Sequence, residues 1–120
     1  MSLYLYQAAY TTESWKLQVE RQQNVLERIS PPIEALGGHI VGLFYAFGEY
    51  DVVGLFEMPS DEAAAAAALA FAAGGSIKEA KTTKLMTVEQ GLEAMQKASE
   101  AGKSYVAPLP QTTVREPATP

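Results

Sequence analysis

Cysteine is missing from the chain, and histidine occurs once, at His39. The first absence excludes disulfides, a thiolate nucleophile and thiolate metal ligands. The second excludes the histidine pairs of ordinary zinc motifs, so no metal is expected. Basic residues are few: 9 Lys and Arg stand against 14 Asp and Glu, for a formal net charge of -5. Non-specific nucleic-acid binding needs clustered Lys and Arg to displace counterions, so no nucleic-acid partner is expected. A small anion held by one or two local lysines stays compatible with that balance. No apolar run reaches the roughly 18 residues of a membrane span, and no membrane partner is expected. Met1-Ser2-Leu3-Tyr4-Leu5-Tyr6 lacks the basic region and long apolar stretch of a signal peptide, which makes the cytoplasm the default location. No cofactor motif is found, and none is expected to be needed.

What the chain does have is apolar residues, 48% of its 120, enough for the core of one soluble domain. Residues 38–62 organise it. Two aromatic and β-branched runs flank Gly48-Glu49-Tyr50-Asp51, which reads as a β-hairpin followed by a helix start. In the first run Val41, Leu43, Tyr45 and Phe47 fall on one side, Ile40, Phe44 and Ala46 on the other. In the second, Tyr50, Val52, Phe56 and Met58 alternate with Val53 and Leu55. Strands apolar on both sides are expected to be covered twice.

Leu3 to Tyr10 reads as a first strand, with Leu3, Leu5 and Gln7 facing one way and Tyr4, Tyr6 and Tyr10 the other. Thr11 or Thr12 then caps a helix whose apolar residues (Trp15, Val19, Ile29, Ile33 and Leu36 among them) recur at roughly helical spacing. Ser30-Pro31-Pro32 predicts a kink or break there, with Ser30 capping a second short segment. Gly37-Gly38 ends it. After the hairpin, Ser60 or Asp61 opens an alanine-rich helix closed by Gly74-Gly75. Ser76 to Met86 reads as a polar edge strand carrying Lys78, Lys81 and Lys84, with Lys81 on the opposite face from the other two. Thr87-Val88-Glu89-Gln90 fits a capping box.

The predicted fold class is therefore α+β: a ferredoxin-like βαββαβ unit with a four-stranded antiparallel sheet, plus a C-terminal helix. Two helices cover one face only. A second copy packed sheet to sheet is the simplest cover for the other, so a homo-oligomer, at least a dimer, is expected. Phe47-Gly48-Glu49-Tyr50-Asp51-Val52-Val53, Pro59 with Asp61, and Lys81-Thr82-Thr83 before Leu85-Met86-Thr87-Val88-Glu89-Gln90 resemble the GYD-domain family, the signature being Gly48, Tyr50 and Asp51. The similarity covers about residues 3–98. The resemblance implies a small domain related to the dimeric α/β barrels, mostly of uncharacterised function. Residues 1–98 are thus expected to be the GYD-like domain and 99–120 a Pro-rich tail.

The candidate ligand-pocket residues are Tyr50, Asp51, Glu49, His39 and Tyr45. Two carboxylates flanking a phenol could supply an acid or base and a donor to an oxyanion. Turn chemistry alone also accounts for the cluster, with Gly48 at positive φ and Asp51 bonded to nearby backbone. His39 could act as a proton shuttle, though a lone histidine at a strand end is more often a surface or dimer-edge residue. Tyr4, Tyr6, Tyr10, Tyr45 and Tyr50 suit a pocket on the far face of the sheet, or equally a dimer interface. The functional expectation is a non-catalytic homo-oligomeric module for small-molecule binding or assembly. The alternative is a cofactor-independent enzyme acting on a small aromatic or carbonyl compound.

Overall fold

The computed structural model describes residues 1–108. The elements are β1 (Ser2–Tyr10), α1 (Thr12–Arg21), α2 (Val25–Ala35), β2 (His39–Tyr45), β3 (Val52–Met58), α3 (Asp61–Ala73), β4 (Ile77–Leu85) and α4 (Val88–Gly102). Residues 1–86 form one compact unit, and a second begins at Thr87. The four strands make one antiparallel sheet in the order β2-β3-β1-β4. The α+β class and the ferredoxin-like order of the sheet are as predicted.

The dimeric α/β barrel is not. β2 and β4 each have one neighbour and end the sheet, which stays open and does not curl toward closure. Closing a sheet requires its outer strands to meet with a fixed stagger, and these two lie at opposite edges. The barrel expectation came from the family resemblance and from the two-sided apolar pattern, neither of which fixes strand closure.

Strand alternation places the core. Tyr4, Tyr6 and Ala8 of β1 and Val52, Phe56 and Met58 of β3 are buried, while Leu3, Leu5, Val53 and Leu55 on the opposite face are half-buried. The buried set packs with Val25 and Ile33 of α2 and Ala64 and Ala67 of α3, so the helices cover that one face. The pattern slips in β2. A bulge between Ile40 and Gly42 brings Ile40, Leu43 and Tyr45 opposite Phe56, Gly54 and Val52. An extra residue reverses the side on which later residues emerge. Ile40 therefore joins Leu43, and Phe44, 61% exposed, faces away from the helices.

The first helix breaks at a different place from the one predicted. Gln22 adopts the left-handed conformation at φ 46° and ends α1, and the Asn24 side chain accepts from Leu26 N–H at 2.9 Å to cap α2. Pro31 and Pro32 lie inside α2, and Ser30 caps nothing: its hydroxyl donates to Leu26 O. The missing proline N–H groups only deprive the Glu27 and Arg28 carbonyls of their helical donors. Gly37 ends the segment at φ 81°, as its position predicted. Ser60 caps α3, whose alanines Ala64 and Ala67 let it lie close to the sheet. The Thr87–Gln90 capping box opens α4, which continues past residue 99, where the tail was expected to start. The rest of that tail, from residue 109, lies outside the described residues.

Candidate functional site

Between the helix-covered face of the sheet and the helices is a cavity of about 230 Å³. Tyr6, Tyr10 and Ile77 contribute to its wall from the sheet, Ile29 and Arg28 from α2, and Phe71 from α3. Its aromatic lining follows from β1, where alternation sends Tyr6 and Tyr10 to one face. The Tyr6 and Phe71 ring centroids are 5.4 Å apart, tilted by 57°, and Tyr10 meets Trp15 edge-on at 5.2 Å. These are favourable aromatic geometries, which hold the rings in place.

The polar groups on this wall are few. Arg28 lies with its guanidinium 5.8 Å from the Tyr10 ring centroid. Its Nη2 donates to Gln18 Oε1 at 3.0 Å and, at 3.5 Å, to the Tyr10 hydroxyl. Gln18 is itself buried and donates to Ser14 Oγ at 3.1 Å. A short chain of side chains on α1 thus orients a cation on α2. Among the described residues no carboxylate forms an ion pair with Arg28. The Tyr6 hydroxyl is buried and has no hydrogen-bond partner among the described residues. An orphaned buried hydroxyl costs about 1–3 kcal/mol, so it calls for an explanation.

Burial, and secondarily the neighbouring Tyr10, pushes the Tyr6 phenol up to about 12 from its ordinary 10.0. The Tyr10 phenol is also raised, by burial first, with Arg28 pulling the other way. A phenol raised in the folded state binds its proton more tightly than the unfolded chain does. Its contribution to stability is therefore whole below pH 10 and lost as pH rises through about 12. Chemical denaturation across that window is expected to show stability falling with pH, and the fall to be shallower in Tyr6→Phe.

At another edge of the sheet, Asp61 Oδ1 accepts from the Tyr4 hydroxyl and from Lys84 Nζ at 2.8 Å. The Lys84 ammonium first, and then Tyr4, holds the Asp61 carboxyl below its usual range. This cluster ties the first turn of α3 to β1 and β4, and every hydrogen-bonding group named in it has a partner.

The sequence-predicted site residues fall in three places. Glu49 and Tyr50 lie beside Gln7, Val53 and Lys81 in one open groove. Tyr45 and Asp51 lie with Trp15 and Phe47 in another. His39 sits at the far end of β2, opposite Glu57, about 20 Å from Tyr45 at the usual strand rise. Asp51 is a latch: its Oδ2 accepts from Tyr10 N–H at 2.9 Å and from Trp15 Nε1 at 3.1 Å, and its own N–H donates to Ala8 O at 2.9 Å. Gly48 does not take positive φ, unlike Gly37 and Gly75.

Tyr4, Tyr6 and Tyr10 do not line the far face, as had been one reading, but lie under the helices. Sequence reasoning also missed Arg28 and Gln18. The available signal was an arginine three residues after Val25 and next to Ile29, on the apolar stripe of its helix.

A family model described as "GYD domain" matches residues 4–95. No curated protein matches the chain. Among solved structures the chain is similar to the crystal structure of 30S ribosomal protein S6 from Thermotoga maritima, with a TM-score of 0.50 and 15% identity, over 82% of this chain and 97% of that one. At that identity the likeness shows the fold alone.

Proposed function

The chain belongs to the GYD-domain family, and from that premise we propose that it is a small-molecule-binding module, working as a homo-oligomer of at least two copies, with the helix–sheet cavity as its ligand seat. The observation that carries the ligand half is the cavity's lining, aromatic and aliphatic side chains with one guanidinium, Arg28, oriented by Gln18. Aromatic walls with a few polar groups suit a small organic molecule. Self-association is supported by apolar residues left in the open, with Val41 56%, Phe44 61% and Phe47 fully exposed. A second copy would cover such exposed apolar side chains.

Native mass spectrometry of the purified protein tests both halves together. The expected spectrum shows a dimer or higher multiple carrying a defined extra mass per chain. A bare monomer at micromolar concentration would count against both, and a bare oligomer against the ligand half.

A further inference from the structure

The cavity's wall specifies more than size. Resting on the reading of this cavity as a ligand seat, we infer that its ligand is a small planar monocarboxylate, the ring against Tyr6, Tyr10 and Phe71 and the carboxylate at Arg28. Volume sets the first limit. A cavity of about 150 Å³ is enough to hold benzene; this one, at about 230 Å³, has room for a single ring with one compact substituent. Composition sets the second. Tyr6, Tyr10 and Phe71 present ring surface, and Val25, Ile29 and Ile77 add aliphatic surface, so the body of the ligand is apolar.

Charge sets the third. Arg28 is the one charged residue on the wall among the described residues. Of its five N–H donors, those on Nη2 alone are engaged, by Gln18 and Tyr10. The adjoining groove, which Arg28 and Gln18 also line, brings Glu13 into the neighbourhood, but Glu13 makes no ion pair with Arg28. Arg28 is exposed to solvent, yet in a chain of net charge -5 with 14 acidic side chains it is held by a buried glutamine and left without a carboxylate, free to meet an incoming anion. A guanidinium meets a carboxylate through two parallel hydrogen bonds, a geometry that a neutral amide cannot match in strength. A cationic ligand would be repelled at the same point.

Calorimetric titration with benzoate and with benzamide, its neutral counterpart of the same shape, tests this on the full chain at neutral pH. Benzoate is expected to bind at least tenfold more tightly, and Arg28→Met, which keeps the apolar stem, to erase that advantage while melting as a folded protein. Should that variant fail to fold, Arg28→Lys serves instead. It keeps the charge without the fork and is expected to lose several-fold in benzoate affinity. Benzamide binding as tightly as benzoate would overturn the carboxylate assignment and leave the cavity reading standing. If neither compound binds at millimolar concentration, both are overturned. An advantage of benzoate that survives Arg28→Met would overturn the assignment to this arginine.

Discussion

Replacing Asp51 with alanine is expected to lower stability by about 2–5 kcal/mol, measured by urea denaturation. The carboxylate is the acceptor for the Tyr10 N–H and for Trp15 Nε1, and Tyr10 is buried. The Tyr10 N–H would be stranded, at a cost of about 1–3 kcal/mol, while the part-buried Trp15 Nε1 would lose its acceptor beside an open groove. Three segments are fastened by this one side chain: the end of β1, the first turn of α1 and the start of β3. Asp51→Asn keeps an acceptor oxygen and loses the charge, so its loss is expected to be the smaller of the two. The pair separates the latch from the earlier alternative of a catalytic carboxylate. A catalytic or ligand-binding Asp51 would leave Asp51→Ala folded and as stable as the wild type while removing function.

Tyr6→Phe is expected to move stability the other way, raising it by about 1–3 kcal/mol, because it removes a buried hydroxyl that has no partner. Deleting a polar group from a buried tyrosine usually costs stability, so the sign is informative. The same substitution is expected to leave ligand binding nearly unchanged, since the hydroxyl is buried out of a ligand's reach and the ring stays in the cavity wall. A variant less stable than wild type would mean that the hydroxyl already has a partner, such as an ordered water.

Much of the fold was legible because it rests on local rules. The period-2 pattern of Tyr4, Tyr6 and Tyr10 against Leu3, Leu5 and Gln7 predicted the division of β1 into two faces, though not which of them the helices cover. Gly37 at φ 81° and the Thr87–Gln90 capping box were equally local signals. The misplaced features are those with weak or misleading local signals. Gln22 takes a left-handed conformation that side chains rarely adopt, so nothing at that position announced the break between α1 and α2. Pro31 and Pro32 announced one that is absent, because a helix supported by a fully buried Ile33 can lose two hydrogen bonds and persist. The bulge at Ile40–Gly42 reassigned the faces of β2 without any marker in the alternation itself.

The site was less legible than the fold. Glu49, Tyr50 and Asp51 drew notice because acids and a phenol crowd one turn, yet the turn divides them between two grooves. The cavity instead gathers Tyr6, Arg28 and Phe71 from β1, α2 and α3, residues far apart in the chain that only tertiary packing brings together.

The most direct test of the cavity as ligand seat is chemical-shift mapping of the full chain titrated with a mixture of single-ring aromatic compounds. The expected result is a concerted shift of the Tyr6, Tyr10, Phe71 and Ile77 signals, with the Glu49 and Tyr50 signals left in place. Shifts confined to residues 46–51, or none at the cavity, would contradict it.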